Sequence, residues 1–264
     1  MAGRAGWHRL RENTVLVGQA SPLSTRQSST RKGIDVNLVP LNAQEHAGVR
    51  LRAHPPEIPH FVEITGGEFA AAAAVCPIFF AKNPETGAFY AGALFGFKPG
   101  ENLLGGPGHG PPPFVPLDRQ RAGFYVSGED IAIDLDNPRF ASSGLEGEAL
   151  FEDGGQPGPV LRRIQRMLGQ LVRGKQETDA FIVELLDLKL IEPIDVTLQF
   201  DDGENLVLDG LYTVSLDALR DLDDVEVLKL FRDGHLQWIY LVSASLKQIG
   251  VLAERRNRML AGRL

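Results

Sequence analysis

Side chains that could do chemistry are thinly spread along this chain. His54, His60 and Glu63 fall within ten residues and offer the nitrogen and oxygen donors that zinc accepts. Their spacing follows no helical or finger motif, and Pro55, Pro56 and Pro59 interrupt it, so no metal site is expected. Lys98-Pro-Gly-Glu-Asn102 follows an apolar run that reads as a buried strand. Polar residues on such a loop sit on a rigid scaffold, which makes Lys98, Glu101 and Asn102 candidate contacts for a ligand or partner. Asp130, Asp134 and Asp136 put three carboxylates on one strand face, as a calcium site would, but lack the glycine and distal glutamate of a calcium loop.

Nucleophilic and phosphate chemistry find little support. Cys76 ends an alanine-rich helix, where a thiol is buried and inert. No G-x-S-x-G elbow is present, and His8, His46, His54, His60, His109 and His235 are too scattered to nominate a base. The glycine-rich run 105–110 carries no lysine-threonine pair, and Pro111 to Pro113 prevent a following helix. Gly66-Gly67 could cradle an anion on backbone N–H groups, although opening a helix accounts for both. Arg162, Arg163, Arg166 and Arg173 form the densest basic stripe, read as a solvated helix face or as a dock for an acidic partner. The candidate contacts are therefore His54, His60, Glu63, Lys98, Glu101, Asn102, Arg162, Arg163 and Arg166, with no cofactor.

The elements that must position these residues read as follows. At 264 residues, 43% hydrophobic and 23% charged, the chain has the composition of a globular protein, and one cysteine precludes an intrachain disulfide. A net charge of -7 argues against nucleic acid as a partner. Residues 1–32 hold six Arg or Lys against the single acid Glu12 and are expected to be a disordered basic tail. Residues 33–264 read as a single α+β domain. Its strand-rich first half has a central hairpin, 78–81 with 89–97, around the turn Asn83–Gly87, and further strands at 34–40, 61–64, 123–126 and 130–135. The glycine/proline run 105–113 should be mobile unless pinned. Its helix-rich second half carries helices at 160–173 and 176–190, a hairpin 196–200 with 204–208 running on through 211–214, a short helix capped by Ser215, and helices at 225–232 and 236–258. A mixed or antiparallel sheet covered by helices is the expected architecture. No window supplies a signal peptide or a membrane span, which points to the cytoplasm, with surface association through a partner.

Several blocks carry a resemblance: Val39-Pro-Leu-Asn-Ala-Gln-Glu-His46, the helix ending in Pro77-Ile-Phe-Phe, Lys98-Pro-Gly-Glu-Asn-Leu103, Ala149-Leu-Phe-Glu-Asp-Gly-Gly, Asp209-Gly-Leu-Tyr-Thr-Val and Trp238-Ile-Tyr-Leu-Val-Ser-Ala-Ser-Leu246. In order and spacing they resemble the bacterial SapC family of surface-layer-related proteins over about residues 34–250. A transporter permease of the same name spans the membrane and is a different protein. The resemblance implies a link to the bacterial surface layer, and a setting beside outer-membrane receptors and flavin-halogenase-like enzymes. It supplies no catalytic residues.

The leading expectation is thus a non-catalytic binding or assembly factor of surface-layer or outer-membrane uptake systems, with a protein or small-molecule partner. The rival is an enzyme acting on peptides or small molecules, whose pocket would gather His54, His60, Glu63, Lys98, Glu101 and Asn102. A homo-oligomeric structural protein is the third reading.

Overall fold

A computed structural model describes residues 38–52, 58–105, 112–141 and 147–262. The expected basic tail, His54 and most of the glycine/proline run lie outside the described residues. In chain order the elements begin with β1 (Leu38–Pro40), α1 (Ala43–His46), β2 (Arg50–Leu51), β3 (Phe61–Glu63), α2 (Phe69–Ala73), β4 (Ile78–Lys82) and β5 (Phe89–Leu94). Next come α3 (Leu117–Gln120), β6 (Phe124–Ser127), β7 (Asp130–Asp134), β8 (Phe140–Ala141), β9 (Glu148–Ala149) and α4 (Pro159–Asp187). The chain closes with β10 (Ile191–Pro193), β11 (Val196–Gln199), β12 (Asn205–Leu208), β13 (Leu211–Val214), α5 (Leu216–Arg220), α6 (Asp224–Arg232), α7 (His235–Ser245) and α8 (Gln248–Leu260). The fold is α+β, strand-rich first and helical later, and every strand pair among the described residues is antiparallel.

The described chain packs as two compact units, one holding 38–52, 120–141 and 147–172, the other 58–105, 112–119 and 173–262. The first unit contains two small sheets, β1-β7-β6 and β8-β2-β9. Asn42 caps α1 by accepting from the Glu45 N–H at 2.8 Å, as its side chain suggests. Phe124 and Phe140 meet edge to face, 5.1 Å between centroids. Leu161, Ile164, Leu168 and Leu171 of α4 are buried, at the helical spacing the sequence shows.

The second unit is built on a five-stranded sheet, β10-β13-β4-β5-β3. The apolar hairpin β4–β5 lies inside it, as its continuous hydrophobic run requires. Phe79, Phe80, Phe95, Phe181, Leu185 and Ile239 fill the core. Gly92 opens space for an aromatic ring: a Cβ there would stand 2.4 Å from Phe61 across the β3–β5 ladder.

Three element boundaries depart from the sequence reading. The two helices expected at 160–173 and 176–190 are one helix, α4, because Gly174 does not break it. A Cβ on Gly174 would lie 2.9 Å from Thr65, so the glycine marks close packing. The hairpin strand does not run on into 211–214. Gly210, at φ 74°, turns the chain, and β13 joins the main sheet while β11–β12 pairs alone. The last helix is interrupted at 246–247, where α7 gives way to α8.

Candidate functional site

The Lys98–Asn102 loop is part of a polar hub. Gly100, at φ 82°, turns it, and the Glu101 N–H donates to the Lys98 carbonyl at 3.0 Å. The Phe97 N–H donates to Glu101 Oε2 at 2.6 Å, and Asn102 Oδ1 accepts from the Leu104 and Gly105 N–H groups. Into this loop reaches Arg256 of α8, 4% exposed: Nε lies 3.4 Å from Glu101 Oε1, and Nη2 donates to Glu204 Oε2 at 2.7 Å. Lys98 Nζ pairs with the other Glu204 oxygen at 2.5 Å. The guanidinium stacks 4.2 Å from the Phe200 ring centroid, which shields it from water. The Lys98 hydrogen bond, with the Arg256 charge, holds the Glu204 carboxyl below its usual range. Two carboxylates and two cations thus pair with one another, cross-bracing the loop to α8 and to the β11–β12 turn, while Arg256 Nε and Nη1 are buried without a hydrogen-bond partner among the described residues.

His60 adjoins this hub. Its carbonyl accepts from the Phe95 and Gly96 N–H groups, and burial pushes its imidazole below the ordinary value against the pull of Glu101. Glu63 is engaged elsewhere, by Lys175 Nζ at 3.0 Å, with Asp179 3.6 Å from the same ammonium. So the structure gathers Lys98, Glu101 and His60, uses Asn102 to turn the chain, and commits Glu63 to a different ion pair. Gly66 is no anion cradle: its N–H donates to Thr178 Oγ1 at 2.8 Å. Cys76 is buried and its thiol is pushed up to about 12 by burial.

Sequence reasoning misses a second cluster. Glu184 of α4 accepts from His235 Nδ1 and from Lys229 Nζ, and Lys229 also reaches Asp233 at 2.9 Å. The His235 ring stacks on Trp238, 5.4 Å between centroids, and lies 5.1 Å from Phe181. Burial pushes the Glu184 carboxyl up, but the hydrogen bonds and charges of Lys229 and His235 outweigh it and hold the carboxyl down. Glu184, Asp233 and His235 present ligand atoms within 4.8 Å of one another, the one such trio among the described residues. The Lys229 ammonium already bridges both carboxylates, so a metal ion would have to displace it. The i,i+4 spacing of Lys229 and Asp233 is a legible signal, but Glu184 lies 45 residues upstream of Lys229 and no local pattern ties it in.

The basic stripe is partly neutralised. Arg162 Nη2 pairs with Glu152 at 3.0 Å and Nη1 donates to the Pro157 carbonyl, while Arg163 pairs with Glu148 at 3.2 Å. Arg166 and Arg173 are exposed and enter no ion pair among the described residues. Asp130, Asp134 and Asp136 form no ligand cluster among the described residues, and the Asp136 N–H donates to Asp134 Oδ1 in a turn.

The outer face of α6 is of another kind. Leu230 is fully buried, yet Val225, Leu228 and Phe231 are 76%, 45% and 67% exposed. Asp223 caps this helix, accepting from the Val225 and Glu226 N–H groups, and the Lys229–Glu184 pair ties it to α4. Apolar side chains turned outward on a tethered helix leave an exposed apolar patch on this face.

Fold and surface together define an antiparallel α+β protein with self-paired polar clusters and an outward apolar helix face. No helix among the described residues is long and apolar enough to cross a membrane. The SapC family model matches residues 41–252, more than half of the chain, and the chain belongs to the SapC family. Comparison with curated proteins and with solved structures gives no match.

Proposed function

We propose that this chain is a non-catalytic binding or assembly factor of bacterial surface-layer or outer-membrane uptake systems. The observation that carries the reading is the outward apolar face of α6, on which Val225 and Phe231 are 76% and 67% exposed. The side chains that an enzyme would draw on, Lys98, Glu101 and Glu63, are spent on Glu204, Arg256 and Lys175. The connection to the cell surface is what the resemblance of these sequence blocks to surface-layer-related proteins implies, and membership of the SapC family is in keeping with it.

The test is chemical crosslinking of the full chain inside a bacterium that encodes it, followed by purification from the envelope and soluble fractions. One envelope protein at fixed stoichiometry is expected, lost on replacing Val225 and Phe231 by Ser. Absence of any envelope protein overturns the surface connection. An envelope partner retained by the Val225→Ser/Phe231→Ser variant overturns the assignment of the face.

A further inference from the structure

We propose that the outer face of α6 pairs with the same face of a second copy of this chain, antiparallel and about a two-fold axis at Leu228. The inference rests on the reading of α6 as a contact face: the second copy occupies the face, and the envelope protein engages the dimer so formed, so that disrupting the face loses both.

At about 100° per residue, Val225 and Phe231 lie about 60° to either side of Leu228, and Asp224 and Arg232 about 40° to either side. All five are exposed. The pattern inverts about Leu228: three residues back and three forward are apolar, four back is acidic and four forward is basic. A two-fold axis through Leu228 therefore sets each Leu228 against its counterpart. It brings Val225 of one copy to the height of Phe231 of the other, on opposite flanks of the seam, and sets Asp224 at the height of Arg232 across its centre. In an isologous interface each such contact occurs twice.

Charge and chemistry agree with this register. The helix runs from acidic Asp224 and Glu226 to basic Lys229 and Arg232, which complements its own dipole. Two such helices attract when antiparallel and repel when parallel. Lys229 is already engaged by Glu184 and Asp233, whereas neither Asp224 nor Arg232 enters an ion pair among the described residues. A parallel pairing would set Asp224 against Asp224. A nine-residue helix offers a small interface, so the pairing should be reversible and concentration-dependent.

The experiment is sedimentation velocity of the full chain from low micromolar to near-millimolar concentration. A monomer–dimer equilibrium is expected. Leu228→Arg, which sets two like charges together on the axis, should weaken dimerisation by about tenfold or more while circular dichroism stays unchanged. Asp224→Arg and Arg232→Asp should each weaken it alone. Mixed in equal amounts they should recover dimers, because each heterodimer regains both opposite-charge pairs. A chain that stays monomeric throughout, a dimer indifferent to Leu228→Arg, or mixed variants that fail to recover overturns the proposal. The envelope crosslinking separates the two readings: a monomeric chain whose envelope partner is lost on Leu228→Arg refutes self-pairing but keeps the contact face. A chain in which that variant alters neither behaviour refutes both.

Discussion

Gly66 lies directly beneath the indole of Trp238: a β-carbon on this glycine would stand 2.5 Å from the ring. The same glycine donates its N–H to Thr178 of α4 at 2.8 Å, and Trp238 packs edge to face on Phe69 and Phe181. One missing methyl thus lets the turn before α2, helix α4 and helix α7 converge.

Replacing Gly66 by Ala should destabilise the protein by about 1–3 kcal/mol, because a rigid ring must move and the backbone hydrogen bond with it. A β-carbon on Gly67 would meet nothing within 4 Å, and this glycine has no positive φ, so Gly67→Ala should be close to neutral. Thermal unfolding of both variants checks this. Equal midpoints for the two would mean that Trp238 yields freely.

The contrast between these adjacent glycines shows what a sequence can and cannot convey. Local chemistry is legible: the Asn42 and Ser215 caps, the hairpin about Asn83–Gly87 and the apolar β4–β5 pair all follow from near neighbours. Gly174 falls between the two helices the sequence suggests, and the neighbour that explains it, Thr65, is more than a hundred residues away. Lys98 and Glu101 stand out as loop residues, but Arg256 and Glu204, which decide what they do, come from α8 and the β11–β12 turn. His235 looks isolated for the same reason, since its partner Glu184 is 51 residues distant.

The hub around Arg256 yields a second prediction. Arg256→Met strands Glu101, whose side chain is 13% exposed, without its cation and should cost about 3–5 kcal/mol. Adding Glu101→Gln should recover most of that loss, because no buried charge is then left unpaired. Urea unfolding of the two single variants and the double variant measures the coupling. Strict additivity would show that the two side chains act independently.

Cys76 tests the burial of α2. With its thiol pushed up to about 12 by burial and its Sγ–H donating to the Ala72 carbonyl at 3.3 Å, almost no thiolate exists at pH 8. Iodoacetamide should leave the native chain unmodified over hours and label it within minutes in urea, as read by intact mass. Rapid labelling of the folded protein would mean that this helix opens readily.

His60 predicts a pH dependence of definite sign. Burial lowers its folded pKa below the ordinary 6.5, while Glu101 pulls the other way without reversing the shift. Between the folded value and 6.5 the unfolded chain binds the more protons, so stability rises with pH across that window. Above 6.5 the imidazole is neutral in both states and its contribution is flat. As pH falls through 6.5 toward the folded value, stability is lost, and below the folded value the loss is complete. His60→Gln should flatten this segment of the urea-midpoint profile between about pH 5 and pH 8 and leave the carboxylate-driven decline at lower pH in place. An unchanged slope in the variant would assign the dependence to another group.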